Sequence, residues 1–211
     1  MESVDAKTKQ VIGFDVDMIN AIAKLEGFTA VVKSTAWDGI FAGLNAGDYD
    51  GVLSSVTITD ERKAAMDFSL PYVNAGQVII VPKKVSNVSK PADLAGKVVG
   101  VQISTTGDIA VGKIAGVKEK KTYDDIGLAV EDLTIGRLDA VVVDSPIAAN
   151  YVLQNAKYKA ALKIVGTPFT EEYYGVAVKK GNAELLGLIN KGLDAITKNG
   201  TMDALKKKWL Q

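Results

Sequence analysis

Short apolar runs alternate along this chain with segments of helical periodicity, and this alternation limits the possible folds more than any other feature. The first helical segment, 15–26, places Met18, Ile22 and Leu25 on one face and ends at Gly27. Further helices are predicted at 38–46, 60–66, 108–115, 125–135, 146–155, 183–198 and 201–209, and strands at 29–34, 50–54, 76–82, 97–102, 139–143, 162–165 and 175–179. Because the strands alternate with helices of about ten residues, the sequence predicts parallel α/β units.

A repeated pattern predicts that two parts of the chain are built alike. Gly-x-x-Asp-x-Val occurs at 47–52 and again at 136–141, each time leading into an apolar strand with a polar end. We therefore expect two similar lobes that present equivalent strand tips.

Polar, turn-forming segments mark where the chain would cross between these lobes. One such segment, 82–87, follows a strand, and a second lies near 170–175. The predicted lobe 1 is 1–81 together with 175–211, and the predicted lobe 2 is 82–174. Two strand crossovers of this kind would form a hinge.

The composition excludes several classes of function. Lysine plus arginine and aspartate plus glutamate each number 25, so bulk charge gives no case for binding nucleic acid or an acidic membrane. The absence of cysteine and histidine excludes disulfides, cysteine metal sites, most zinc sites and the usual nucleophile–base pairs. No apolar run approaches the roughly 18 residues that span a bilayer, and residues 1–5 are polar rather than signal-like. We expect a globular protein with no metal, cofactor or catalytic residue.

Arg62 stands out because the chain otherwise uses lysine for positive charge. Only Arg62 and Arg137 are arginines among the 25 cationic residues. Arg62 lies in 57–63, shortly after a predicted strand that ends in Ser54 and Ser55. A strand end followed by a helix start presents N–H groups and a positive dipole, and an arginine fork binds a carboxylate through two parallel hydrogen bonds. The heptapeptide alone fits a solvated helix end equally well, but its flanks favour an α-carboxylate site.

Six segments spread along the chain support a ligand-binding role. They are Gly13–Asp17, Trp37–Ile40, Ser54–Lys63, Gln102–Gly107, Val143–Pro146 and the C-terminal Asn199–Thr201 with Lys208 and Trp209. In this order they resemble the solute-binding proteins of amino-acid ABC importers, the group that binds glutamine, histidine or lysine, arginine and ornithine. The resemblance covers 13–211. It implies an α/β, two-lobed periplasmic-binding-protein fold (Venus flytrap, type II) with two hinge crossings.

The resemblance also implies a role for each candidate ligand-binding residue. Arg62 would hold the ligand carboxylate, helped by the backbone N–H of Thr57 and of Thr105 or Thr106. Gln102 belongs to the same second-lobe anion loop. From the residues alone, Thr105 and Thr106 also fit a plain turn with a helix cap.

The remaining ligand contacts follow in the same way. Asp144 would receive the ligand ammonium, and by position it also fits an N-cap, one oxygen serving each role. Trp37 would stack on the ligand side chain, and Ser54 and Ser55 would offer carbonyls or hydroxyls. Five other aromatic residues are assigned to packing, namely Phe41, Phe68, Tyr72, Tyr173 and Tyr174.

The implied function is capture of a polar L-amino acid in an interlobe cleft and delivery to the membrane permease of an ABC importer, in the periplasm or otherwise outside the cytoplasm. Glutamine and the basic amino acids are expected ahead of the acidic ones, and Val143 leaves glutamine and arginine undecided. Two alternatives use the same fold. One is a cyclohexadienyl or arogenate dehydratase-like enzyme with Asp144, Glu171 or Glu172 as the acid, although the two glutamates look solvated. The other is a receptor ligand-binding domain.

One departure from the family pattern concerns the start of the sequence. The family begins with a strand, and this chain starts near the end of that segment, at Met1 and Glu2. We therefore expect a truncated form whose lobe 1 lacks an interior strand. Such a form would leave backbone groups unpaired, bind amino acids weakly and form a homodimer by strand or segment exchange.

Overall fold

The computed structural model describes residues 1–5 and 7–210, and it confirms the predicted mixture of helices and strands. The strands are β1 (Glu2–Val4), β2 (Val11–Gly13), β3 (Gly51–Val52), β4 (Met66–Phe68), β5 (Val73–Asn74), β6 (Gln77–Pro82), β7 (Val98–Gln102), β8 (Glu119–Tyr123), β9 (Ala140–Asp144), β10 (Leu162–Val165), β11 (Tyr173–Tyr174) and β12 (Ala177–Lys179). The α-helices are α1 (Phe14–Glu26), α2 (Ile40–Ala46), α3 (Asp60–Ala65), α4 (Thr106–Gly112), α5 (Ile126–Thr134), α6 (Ser145–Ala149), α7 (Ala156–Lys159), α8 (Ala183–Lys198) and α9 (Thr201–Trp209). Among the described residues, no helix is long and apolar enough to cross a bilayer.

The chain forms two compact units. Unit 1 comprises Met1–Asn74 and Tyr173–Gln211, and unit 2 comprises Ala75–Glu172.

The sheet of unit 2 has five strands in the order β10-β6-β9-β7-β8. β7 runs parallel to β8 and β9 because α4 and α5 provide the crossovers between them. β6 runs antiparallel to both β9 and β10. The prediction of parallel α/β units was therefore wrong for this edge, and it was also wrong for the described strand pairs of unit 1, which are all antiparallel.

Both faces of this sheet are buried. Successive residues of β6 and β9 point to opposite sides, so Ile80 and Val141 join one core cluster while Ile79 and Val142 join the other. This explains why these strands read as continuous apolar runs in the sequence.

Unit 1 contains a smaller sheet and two short strand pairs. β12 lies between β3 and β4 and runs antiparallel to both. β1 pairs with β2, and β5 pairs with β11. Helices α1 and α8 pack closely at Gly192, where an added Cβ would stand 2.4 Å from Cγ2 of Ile22.

The predicted strand at 29–34 is wrong, because this segment forms no regular element. Residues 29–36 also make no backbone–backbone hydrogen bond within the described part of the chain. A β-branched sequence forms a strand only when a neighbouring strand satisfies its N–H and C=O groups, and here none does.

Smaller differences follow from local competition between elements. The predicted helix 146–155 is divided into α6 and a π-helical turn at Asn150–Gln154, and the separate helix α7 begins after it. The lysine-rich segment 118–121 lies largely in the edge strand β8, where lysines discourage further pairing. Met66 begins β4 instead of ending a helix.

The repeated sequence pattern corresponds to repeated local structure. Gly47 and Gly136 each come shortly after a helix. Both glycines have a left-handed backbone conformation, with φ of 88° and 81°, which suits glycine. β3 and β9 follow them. Both repeats thus place a glycine between a helix and the strand that follows it, and the equivalence of the two strand tips stays a prediction.

Candidate functional site

Arg62 lies in the first turn of α3, and the turn before the helix holds it in place. Thr59 caps the helix by accepting a hydrogen bond from the backbone N–H of Arg62 at 3.1 Å. Nη1 of Arg62 donates to the carbonyl oxygen of the buried Thr57 at 2.9 Å. The guanidinium is therefore tied to the backbone just ahead of its own helix.

Two aromatic rings complete the surroundings of this cation. The guanidinium carbon lies 4.9 Å from the ring centroid of Phe41 and 5.6 Å from that of Trp37. The two rings meet edge to face at 5.4 Å. Cation–π attraction at these distances stabilises one orientation of Arg62. Phe41, expected to serve packing alone, and Trp37, expected to stack on a ligand, both contact Arg62.

Ser54 and Ser55 follow β3 and lie beside a buried carboxylate. Ser55 has a left-handed backbone (φ 53°), and its N–H donates to Oδ2 of Asp15 at 3.1 Å. Its Oγ accepts from the Met1 ammonium at 2.6 Å, and Ser54 Oγ bonds to the carboxylate of Glu2. Both predicted ligand serines are thus engaged with the first residues of the chain in this structure.

Asp15 is a charged residue of unit 1 that sequence reasoning did not single out. It is 1% exposed at the start of α1, and its Oδ1 accepts a hydrogen bond from the hydroxyl of Tyr72 at 3.1 Å. Burial, together with the negative charges of Asp15 and Glu2, raises the pKa of Tyr72 well above its usual value. An aspartate in the first turn of an otherwise apolar helix face was the signal available in the sequence.

In unit 2, the loop after β7 is organised by its own side chains. Thr105 caps α4 by accepting from the N–H of Asp108 at 3.2 Å and donates to the carbonyl of Gln102 at 2.8 Å. Gln102 donates in turn to the carbonyl of Asp124 at 3.0 Å. The cap predicted from the residues alone is therefore present.

Asp144 and Thr106 meet at a buried amide that the sequence did not reveal. Nε2 of Gln77 donates to Oδ1 of Asp144 and lies 3.1 Å from Oγ1 of Thr106 and 3.2 Å from Oε2 of Glu172. Gln77 is fully buried, and its Oε1 has no hydrogen-bond partner among the described residues. The amide nitrogen of Gln77 is therefore within hydrogen-bond distance of two carboxylates and a hydroxyl at the end of β9.

Glu172 is a further member of this cluster, and the sequence indicated it only as a candidate acid of the enzymatic alternative. It accepts hydrogen bonds from Thr106 Oγ1 at 2.6 Å and from Thr170 Oγ1 at 2.7 Å. The expectation that Glu172 is solvated was wrong, because these donors hold it partly buried. Asp144 occupies the N-cap position of α6, but its side chain makes no capping bond. The predicted capping role was therefore wrong, and the contact with a ligand ammonium stays a prediction.

Neither the Arg62 cluster of unit 1 nor the Gln77 cluster of unit 2 resembles a metal centre. Within the residues that the structure describes, no group of three or more aspartates and glutamates is arranged to hold a metal ion. The charged groups that could bind a ligand are a fixed guanidinium in unit 1 and two hydrogen-bonded carboxylates in unit 2. The guanidinium suits a carboxylate, and the pair of carboxylates suits an ammonium.

Comparison with known proteins places the chain among binding proteins. Residues 1–211 match the model of the bacterial extracellular solute-binding proteins, family 3. A probable histidine-binding protein from Neisseria gonorrhoeae is 42% identical over 212 residues, which cover 99% of this chain and 78% of that protein.

Two solved structures extend this comparison. An ancestral arginine-binding protein bound to arginine superposes with a TM-score of 0.93 at 42% identity, covering 100% of this chain and 92% of that one. An ancestral amino acid-binding protein described as a precursor of cyclohexadienyl dehydratase gives a TM-score of 0.89 at 37% identity, covering 100% and 89%. The α/β two-lobed fold predicted from the resemblance is confirmed, and the chain belongs to family 3 of the bacterial extracellular solute-binding proteins.

Proposed function

We propose that this protein captures a polar L-amino acid outside the cytoplasm and delivers it to the membrane permease of an ABC importer. Arg62 carries the proposal. Its guanidinium is held by the Thr57 carbonyl and two aromatic rings, so little side-chain freedom remains to be lost when a carboxylate binds.

The ammonium of the ligand is assigned to Asp144 of unit 2. Gln77 fixes this carboxylate by donating to Oδ1, and the adjoining Glu172 adds a second negative charge. Such a cluster attracts an ammonium and any further cation on the ligand side chain. The remaining residues keep their predicted roles. The ligand carboxylate is bound with the help of Thr57, Thr105, Thr106 and Gln102. The rest of the ligand is contacted by Trp37, Ser54 and Ser55.

The ligand class follows from this balance of charges. Two carboxylates in unit 2 favour glutamine and the basic amino acids over aspartate and glutamate. The names of the relatives support the basic side, since one is a probable histidine-binding protein and another was solved with arginine.

Calorimetric titration with the twenty amino acids tests the proposal. Arg62→Lys keeps the charge but removes the planar fork, so affinity should fall by about 1.5–3 kcal/mol, the range for a hydrogen bond to a charged group. Arg137→Lys is the matched control, because Arg137 is 67% exposed and pairs only at the surface with Asp132. Equal affinity in the two variants would contradict the assignment of Arg62.

A prephenate dehydratase assay on the same preparation tests the enzymatic alternative, which is motivated by the neighbour described as a dehydratase precursor. We expect no turnover. Turnover that is lost in Asp144→Asn or Glu172→Gln would favour the enzyme instead.

A further inference from the structure

The side chain of Gln77 lies between two surfaces of opposite character in unit 2. Its Nε2 faces three acceptors, the carboxylates of Asp144 and Glu172 and the hydroxyl of Thr106. Its Oε1 faces Gly107 and has no hydrogen-bond partner among the described residues. Turning the amide over would place this oxygen against two carboxylates, so the acceptors determine which end of the amide faces them.

Gly107 leaves the space in which this oxygen lies. A Cβ added at position 107 would stand 2.9 Å from Oε1 of Gln77 and 3.3 Å from the carbonyl oxygen of Val142. The first distance is well inside the optimal separation of two non-bonded atoms. Because Oε1 is the end of a side chain that can rotate, Gln77 is the group that would move. A residue larger than glycine therefore displaces the amide.

The backbone itself does not require glycine at this position. Gly107 is the second residue of α4, and it is not one of the glycines with a positive φ. A right-handed helical backbone suits alanine better than glycine, because glycine loses more conformational freedom when the helix forms. The structural reason for Gly107 is therefore the space that it leaves, not the conformation that it allows.

We propose that Gly107 is a positioning residue for the site that binds the ligand ammonium in unit 2. With no side chain at position 107, Oε1 of Gln77 lies against the start of α4 while Nε2 reaches Oδ1 of Asp144. A larger residue misaligns this donor, and Asp144 loses the hydrogen bond that orients it. The inference rests on the proposed function, because Asp144 is assigned there to the ammonium.

Calorimetric titration with the best-binding amino acid tests the proposal on two glycines of the same helix. Gly107→Ala should weaken binding by about tenfold or more, which is the scale of a hydrogen bond to a charged group. Gly112→Ala is the matched control, because its Cβ would come no closer than 3.6 Å to another group, the Nζ of Lys120. The control should leave the affinity unchanged.

A second ligand shows where the loss arises. The titrations are repeated, by competition, with the carboxylic acid that lacks only the α-ammonium of that amino acid. Gly107→Ala should leave the affinity for this acid unchanged, because the acid has no ammonium for Asp144 to receive. An equal loss for both ligands would contradict the proposal, since the alanine would then disturb the carboxylate contacts at Thr106 or the fold of unit 2.

A mutant cycle with Gln77→Ala tests whether Gly107 acts through this amide. Once the carboxamide is removed, the Cβ of Gly107→Ala enters vacated space. The double variant should therefore match Gln77→Ala both in amino-acid affinity and in its free energy of unfolding by urea, a comparison that also applies if Gly107→Ala alone does not fold. A double variant that binds more weakly or unfolds more easily than Gln77→Ala would overturn the proposal.

The unaltered chain separates this inference from the proposed function. If it binds no amino acid, the proposed function and the role of Gly107 are both refuted. If it binds one, and Gly107→Ala and Gly112→Ala bind that amino acid equally well, the role of Gly107 alone is refuted.

Discussion

The two units differ in how completely their strands are paired. In unit 2 the strands β6, β9 and β7 each have neighbours on both sides. In unit 1 the three-stranded sheet ends at β3, and the 29–36 segment has no backbone partner in the described chain. Equally β-branched sequences thus give strands in one unit and irregular structure in the other. Strand formation depends on a neighbour as much as on the sequence itself.

The two residues proposed to bind the charged groups of the ligand, one in each unit, show a parallel contrast. Arg62 in unit 1 is oriented by residues close to it in sequence, with Thr57 five positions away. Asp144 in unit 2 is held by Gln77, 67 positions away. The role of Arg62 could be predicted from the sequence because its contacts are local. The position of Asp144 depends on tertiary contacts, which the sequence does not show.

The largest expected effect is on the free energy of unfolding, and it is seen by comparing two aliphatic residues from predicted strands. Ile80 is fully buried in β6, so Ile80→Ala should cost about 2–5 kcal/mol of unfolding free energy. Val32→Ala in unit 1 should change the free energy of unfolding by no more than about 0.5 kcal/mol, because Val32 lies outside any sheet. Urea titration measures both. Similar losses would show that 29–34 is a paired strand after all.

A smaller loss is expected when the amide of unit 2 is removed. Gln77→Leu keeps the approximate shape but leaves Asp144, Thr106 and Glu172 without their shared donor, at about 1–3 kcal/mol for a group left unsatisfied. Amino-acid affinity should fall with it. Gln10→Leu in unit 1, which alters an exposed side chain, is the control and should change neither quantity. Unchanged stability and affinity in Gln77→Leu would contradict the role given to this amide.

The smallest expected effect concerns alkaline pH. The pKa of Tyr72 is raised in the folded state by burial and by the charges of Asp15 and Glu2. Its stabilising contribution is therefore complete below about pH 10, where the unfolded phenol ionises, and is lost as pH rises toward the folded pKa.

Tyr72→Phe should cost about 1–2 kcal/mol at neutral pH, since it removes the bond to Asp15, and should flatten the alkaline decline. In unit 2, burial and the hydrogen bond to Asp132 raise the pKa of Tyr123 to about 12. Tyr123 is less enclosed, so Tyr123→Phe should flatten the decline less. Denaturant titrations between neutral and alkaline pH compare the two variants, and an equal slope in Tyr72→Phe and the unaltered chain would refute the assignment.

The sequence predicted those parts of the fold whose signals are local. Helices α8 and α9 lie at the predicted bounds, because their periodicity, caps and glycine stops are all contiguous. The position of Arg62 near a helix start was predictable for the same reason. The fate of 29–34 was not, because it depends on whether another strand lies alongside. Gln77 gave no signal, since a buried amide and a solvated one cannot be told apart in a sequence until the fold brings acceptors to one of them. Glu172 was expected to be solvated for the same reason.

The central claim is that Arg62 binds the carboxylate of the ligand, and a cycle in which both partners are changed tests it most directly. The unaltered protein and Arg62→Lys are titrated with the best-binding amino acid and, by competition, with the amine that lacks only its carboxylate. The account predicts a loss of about tenfold to a hundredfold on Arg62→Lys for the amino acid and no further loss for the amine, which has nothing for the fork to bind. An equal loss for both ligands would show that Arg62 supports the protein without contacting the carboxylate.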